Sequence, residues 1–265
     1  MRFLHQSVLV PEKQVPVVPN NFPSLTERGV ALRAGELSVC AGPPGAGKST
    51  LALAMAIRSK APCLYFSADT TEHTMKVRSL MMVTGMDRED AEASMMADRV
   101  WASQVLASGI GHIGWDTSSA PSLEHIELTL EAFNEAHGEY PSLVVIDNAG
   151  DVAFDSGDEF GSLRTLMREL RWFARDTGAA FLVLHHTTER APGNPAPPQS
   201  SLHGKIAQVP ALIMTVVSDA EPGFMGVGIV KNRYGRARTD GSEPVWLRCD
   251  LEHMRISDLL EPENE

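Results

Sequence analysis

A chain of 265 residues with 43% hydrophobic and 22% charged residues is long enough to bury one large α/β core and too ordinary in composition for a disordered or fibrous protein. Its formal net charge of -11 opposes wholesale attraction to nucleic acid, so any such binding is confined to a local patch or to the inside of an assembly. No apolar run approaches the roughly 18 residues of a membrane span, and His5, Gln6 and Pro11 interrupt the N-terminal stretch before a signal-peptide core forms, so the expectation is a cytoplasmic protein with no membrane partner.

In chain order, residues 1–24 carry Pro11, Pro16, Pro19 and Pro23, which break helix and sheet alike and predict an extended arm of the kind that packs on a neighbouring subunit. Residues 25–256 are expected to form one α/β domain and 257–265 an acidic tail. Within the domain, "ELSVCA" (36–41), "CLYFSA" (63–68), "IGHIGW" (110–115), "SLVVID" (142–147) and "AAFLVLHH" (179–186) have the composition of buried strands. Between them, stretches beginning at Gly47, Thr71, Arg88, Ser122 and Phe160 repeat apolar residues at three and four positions, the pattern of amphipathic helices. Alternation of this kind implies right-handed crossovers and a mainly parallel sheet covered on both faces.

The C-terminal part changes character. "ALIMTVV", "MGVGIVK" and "VWLRCD", separated by Pro-Gly and Asp-Gly turns, predict antiparallel strands added to that sheet, while "RAPGNPAPPQSS" (190–201) reads as a long loop. Cys40, Cys63 and Cys249 are odd in number and far apart, which suits small buried hydrophobes better than disulfides or metal ligands. Met81, Met82, Met86, Met95 and Met96 fit core filling, with an adaptable partner surface as the alternative.

The chemistry concentrates in "GPPGAGKST": Gly42, Pro43, Pro44, Gly45, Ala46, Gly47, Lys48, Ser49 and Thr50 join a predicted strand to a predicted helix, the context that a phosphate-cradling loop requires. Backbone N–H groups there face a bound phosphate, Lys48 neutralises the β- and γ-phosphates of ATP, and the Ser49 hydroxyl is a ligand for Mg2+. Asp147, at the end of a buried strand, is the matching second metal ligand; taken alone, an Asp at that place forms a turn.

Seven segments, taken together and in order, resemble the RecA-like core of DnaB-type hexameric replicative helicases: "FPSLTERGVALRAGELSVCAGPPGAGKST", "LYFSADTTEHTM", "GWDTSSAPSLEHIELTL", "SLVVIDNAGDV", "FLVLHHTTER", "LHGKIAQVPALIMTV" and "KNRYGRAR". The resemblance spans residues 22–250 and implies a RecA-like P-loop NTPase fold that acts as an oligomeric, Mg2+-dependent ATPase on single-stranded DNA, as a translocase or helicase. It also implies a homo-oligomer and partners among replication or loader proteins. The alternative is an ATP-dependent assembly switch, such as a loader, mediator or scaffold, with slow hydrolysis; a small-molecule kinase lacks support from any Arg-rich lid. The family's separate N-terminal domain has no counterpart in the resemblance, and the Pro-rich arm is expected to stand in for its linker.

By the same resemblance, Asp69 stands where the family has its catalytic glutamate, with a side chain about 1.5 Å shorter. Glu72 is a second candidate, and capping of the next helix is the other reading of Asp69. His186 takes the place of the γ-phosphate sensor, and His185, on the opposite face, that of a core residue. Lys231 and Arg233 of "KNRYGRAR" correspond to cations that reach into a neighbour's ATP site; Arg236 and Arg238 lie on the turn beyond. A solvated hairpin tip, or a grip on nucleic-acid phosphates, are the rival readings of that cluster. For DNA the resemblance points to two loops. The first carries Asp151, Asp155, Asp158 and Glu159, which repel phosphate; the second offers Arg190, Ser200, Ser201, Gly204 and Lys205.

Overall fold

The computed structural model describes residues 15–153, 159–188, 195–218 and 223–259, with the backbone alone at 159–161 and 205. Among them the strands are β1 (Val17–Val18), β2 (Leu32–Arg33), β3 (Leu37–Gly42), β4 (Cys63–Ser67), β5 (Ile113–Asp116), β6 (Leu143–Asp147), β7 (Ala180–His186), β8 (Leu212–Ser218), β9 (Gly223–Asn232), β10 (Val245–Asp250) and β11 (Arg255–Asp258). The α-helices are α1 (Pro23–Glu27), α2 (Lys48–Ser59), α3 (Glu72–Thr84), α4 (Arg88–Ala97), α5 (Arg99–Ile110), α6 (Leu123–His137) and α7 (Glu159–Thr177).

Strands β3 to β11 form one nine-stranded sheet in the order β11-β10-β9-β8-β3-β7-β6-β4-β5. From β8 to β5 every neighbouring pair is parallel, and β9, β10 and β11 extend the β8 edge antiparallel. This is the mixed RecA-like architecture expected from the sequence. Side chains of the central strands alternate between two cores because successive Cβ atoms point to opposite faces. Leu143 and Val145 of β6 pack with α2, α3 and α5 residues such as Leu51, Leu80 and Ile110, whereas Val144 and Ile146 pack with Ile126 of α6 and Leu170 of α7. Burial on both faces explains why these strands read as unbroken apolar runs.

Several expectations are corrected. The Pro-rich segment is not an extended arm over its described part: Val17–Val18 pairs with Leu32–Arg33, and Pro23 opens α1, where its missing N–H costs no hydrogen bond. Phe22 and Leu25 are fully buried, and Ser24 donates from both its N–H and its hydroxyl to Asp258, tying this segment to β11. Asp258 itself is buried in β11, so the stretch from 257 does not begin as a tail; residues 260–265 and 1–14 lie outside the described residues. The single helical pattern from Arg88 is two helices, because Asp98 leaves helical geometry and its carboxylate accepts from Trp101 N–H as the cap of α5. Residues 110–112 close α5 and the turn after it, so that strand starts at Ile113. Cys40, Cys63 and Cys249 are free and buried. Met81 belongs to the core and Met82, Met86 and Met95 pack against it, while Met96 is exposed.

Candidate nucleotide site

Strand β3 delivers the chain to the phosphate loop at the C-terminal edge of the parallel strands. Gly42 ends the strand against β8, where a Cβ would come within 2.7 Å of the Val216 carbonyl. Gly47 caps α2 with φ 84°, a left-handed conformation that glycine adopts without steric cost, and a Cβ there would collide with Met225 and Leu251. These two contacts are the local reason the loop is glycine-rich. Lys48 turns back over the loop, its Nζ donating to the carbonyls of Gly42 and Pro43 at 3.0 Å each. Burial lowers its pKa, with the charges of Asp147 and Asp69 acting in the opposite sense.

Asp147 ends β6 and is buried. Its Oδ2 accepts from the Tyr65 hydroxyl at 3.0 Å, and it also accepts from Ser49. Burial pushes its carboxyl up to about 6, with the hydrogen bonds from Ser49 and Tyr65 and the charge of Lys48 pulling the other way. A hydroxyl and a carboxylate in contact at the mouth of the loop are hard oxygen donors, the chemistry that suits Mg2+. The Asp147–Asn148 peptide is cis, and Asn148 then organises the next turn, accepting from Gly150 N–H and donating to Asp151 at 2.7 Å each.

The loop, Lys48, Ser49, Thr50, Asp69, Asp147, Asn148 and His186 line one cleft of about 580 Å3. Asp69 follows β4 and accepts from the Thr70 hydroxyl at 2.8 Å. The cap of α3 is Thr71, so Asp69 is not the capping residue. Glu72 is not part of the cleft; it pairs with Lys76 at 2.6 Å on the exposed face of α3. His186 reaches the cleft from the end of β7 with its Nδ1 buried and unpartnered, and burial lowers its pKa. His185 points the other way: its Nε2 meets the His203 carbonyl at 3.1 Å, and burial takes its pKa down to about 4.

Buried polar atoms without partners gather at this edge. Ser67 Oγ, His186 Nδ1, Thr187 Oγ1 and Thr215 Oγ1 sit at or near the C-terminal ends of β4, β7 and β8, beside Asp147 and the phosphate loop in register. Such atoms cost about 1–3 kcal/mol each when nothing answers them, so their clustering marks a place built for polar occupants. Two cations of the cleft were not singled out from the sequence. Arg88 pairs with Glu92 at 3.0 Å, whereas Arg78, half-buried on α3, has no hydrogen bond or ion pair among the described residues. Arg78 lies nine positions after Asp69 on an ordinary amphipathic helix, and only the packing of α3 turns it toward the loop.

The second cluster lies at the opposite edge. Leu212, at the start of β8, pairs with Asn232 of β9, so Lys231, Asn232 and Arg233 are level with the N-terminal end of β3, away from the phosphate loop of their own chain. Lys231 Nζ donates to the carbonyls of Ala207 and Gln208 at 2.6 and 3.2 Å. Arg233 spans both Glu36 carboxylate oxygens at 3.2 and 3.3 Å, the Tyr234 hydroxyl donates to the same carboxylate at 2.7 Å, and Arg33 stacks over the Tyr234 ring. Arg238 pairs with Glu243 at 2.8 Å, and Arg236 is exposed. Of the residues expected to touch DNA, Ser200 is exposed. Ser201 is buried, its hydroxyl donating to the Pro198 carbonyl at 2.7 Å, and so faces inward. Gly204 lies in a short 3-10 helix against Leu163; Arg190, Asp155, Asp158 and the Lys205 side chain lie outside the described residues.

Residues 23–191 match the family model described as AAA domain. The Gene 65 protein of Mycobacterium phage L5 is 35% identical over 252 residues, covering 91% of this chain and 93% of that one. The Gene 65 protein of Mycobacterium phage D29 is 34% identical over 230 residues, covering 83% and 98%. Among solved structures, an ATPase domain determined on its own aligns with a TM-score of 0.77 at 15% identity, over 97% of this chain and 96% of that one. A DnaB-like replicative helicase, solved in a study of its interactions with primase, aligns with 0.78 at 15% identity, over 97% of this chain and 66% of that one. The RadB recombinase aligns with 0.61 at 15% identity, over 91% and 99%. With a phosphate loop, its matching acid and the mixed sheet all in place, the chain belongs to the AAA domain family of ATPases, with the two phage Gene 65 proteins as relatives and the RecA-like core of DnaB-type helicases as its fold.

Proposed function

We propose that the chain is an oligomeric, Mg2+-dependent ATPase that moves along single-stranded DNA, with each ATP site completed by a neighbouring copy. The observation that carries this reading is the convergence of Lys48, Ser49, Asp69, Asp147 and His186 on one cleft. Ser49 and Asp147 would hold Mg2+, which supplies positive charge against the β- and γ-phosphates when bound. Lys48 exchanges its two loop carbonyls for phosphate oxygens. Asp69 accepts a proton from the attacking water as the new P–O bond forms at the γ-phosphorus and the bond to the β-phosphate oxygen breaks, leaving ADP and inorganic phosphate. His186 donates to the released or attached γ-phosphate and so couples hydrolysis to the segment after β7. Lys231 and Arg233, too far along the sheet to serve their own cleft, offer their charge to the cleft of the next protomer, where such a finger contributes about 10^3 to 10^5 in rate. Gly204 and Ser200, with Arg190 and Lys205, provide the DNA-facing contacts.

The test is an ATPase titration against protein concentration and then against single-stranded DNA. Specific activity rises with both if the reading holds; activity that ignores dilution and DNA alike sinks it. A second reading, an ATP-dependent assembly switch, draws support from the shorter Asp69 and from the intramolecular partners that already hold Lys231 and Arg233. It predicts oligomerisation on ATP with slow hydrolysis and no response to DNA.

A further inference from the structure

The turn between β10 and β11 has no part in the chemistry above, yet Leu251, Glu252 and Met254 line the same cleft as the phosphate loop. Three features show that the turn is held there. Met254 is buried with φ 54°, a conformation that costs an ordinary side chain about 1–2 kcal/mol and persists only where the surroundings enforce it. Its flanks are anchored: His253 binds Asp250 through both its N–H and its ring, Arg255 donates to the Gly85 carbonyl, and Arg58 donates to the Ile256 carbonyl at 2.9 Å. Its side chains press on the nucleotide loop, with Met254 Sδ 3.7 Å from Thr50 Oγ1 and Leu251 occupying the space that a Cβ on Gly47 would need.

Position along the cleft then assigns an occupant. Asp147, Asp69 and His186 lie on the side of Lys48, whose charge they feel. Thr50 is two residues further along α2, and there the walls become the thioethers of Met254 and Met81 with the isobutyl group of Leu251. Apolar, polarisable walls suit the faces of an aromatic ring, and sulfur packs favourably against such rings. The exposed Glu252 at the rim only accepts hydrogen bonds, so it suits an exocyclic amine or a ribose hydroxyl and repels phosphate.

We propose that the Leu251–Met254 turn, with Met81 opposite, is the seat of the nucleobase, so that a purine is gripped by the C-terminal antiparallel strands while its phosphates lie on the loop. The assignment rests on the nucleotide reading above. Its test compares binding of ATP with binding of inorganic tripolyphosphate, both with Mg2+, by calorimetry on the full chain. Met254→Gly keeps the left-handed backbone without strain and removes the wall; Leu251→Ala trims the half-exposed side chain of the same turn and guards against loss of folding in the first variant. Each variant weakens ATP binding by about tenfold and leaves tripolyphosphate binding unchanged, the loss expected for one apolar contact surface. Wild-type ATP affinity in both variants overturns the assignment. So does an equal loss of ATP and tripolyphosphate binding, which makes the turn a support for the loop and not a seat for the base. Lys48→Ala separates the two levels: if it still binds tripolyphosphate as the wild type does, the nucleotide reading itself has failed.

Discussion

The two edges of the parallel sheet hold opposite kinds of polar chemistry. At the C-terminal edge, Ser67, His186, Thr187 and Thr215 have buried atoms without partners, Asp147 is pushed toward its neutral form, and Arg78 faces the cleft without an ion-pair partner among the described residues. At the N-terminal edge, Lys231, Arg233 and Arg238 are satisfied by two carbonyls, Glu36 and Glu243. Unanswered buried groups are costly and therefore point to an occupant, whereas half-exposed paired groups are cheap and fit either a structural brace or a cation waiting for another molecule. The first edge declares its role by its own geometry. The second acquires one only from a neighbouring protomer.

Arg233→Ala breaks the contrast most sharply. As a brace the Arg233–Glu36 pair contributes about 0.2–1 kcal/mol. As a finger it accounts for a change of about 10^3- to 10^5-fold in hydrolysis with ATP binding intact. Mixing this variant with Lys48→Ala protein restores part of the activity if the finger acts in trans; steady-state ATPase assays on the mixtures decide it. Lys48→Ala alone is expected to lower hydrolysis on the order of 10^3-fold and to abolish tripolyphosphate binding in the calorimeter. Arg78→Ala is expected to cost about 10- to 100-fold in hydrolysis, with Arg78→Lys recovering part of it, because a point charge replaces a planar fork on the same phosphates.

A smaller effect concerns stability. The Asp147 carboxyl titrates at about 6 in the folded chain against an ordinary 3.8, so between those values the folded state holds a proton that the unfolded state has lost. The contribution of this group to stability is therefore highest below pH 3.8 and falls as pH rises to about 6. Asp147→Asn should raise the Tm at about pH 7.5, gain nothing at pH 3.8 and abolish hydrolysis at both; melting curves across that range check the sign. Smallest of all, Ser201→Ala should cost about 1 kcal/mol through its lost bond to Pro198 and leave DNA binding unchanged.

What was legible in the sequence was local. The phosphate loop, Asp147 and the doubly buried strands announce themselves through short-range pattern, and the structure places Asp69 and His186 in the cleft with them. Asp98 was hidden because one acidic residue inside a continuous helical pattern reads as a surface position until its carboxylate is seen capping Trp101. The ordered segment from Val17 was obscured by its prolines, although Pro23 sits at a helix start where proline is welcome. Arg78 and the Leu251–Met254 turn were beyond reach for a different reason. Nothing near them in the chain signals a site, and Met254 of the turn meets a helix residue 204 positions earlier.

Strand β3 carries the phosphate loop at its last residue, Gly42, and follows directly on Glu36, the carboxylate that grips Arg233. It is fully buried and hydrogen-bonded to β7 and β8 along its length, which leaves it little room to bend. The strand therefore behaves as a tie-rod: a push at the nucleotide would arrive, about 20 Å away by strand rise, at the side chain one protomer extends to the next. In a ring or filament of such chains, each member would both feel its own fuel and hand the spark onward through six residues of backbone.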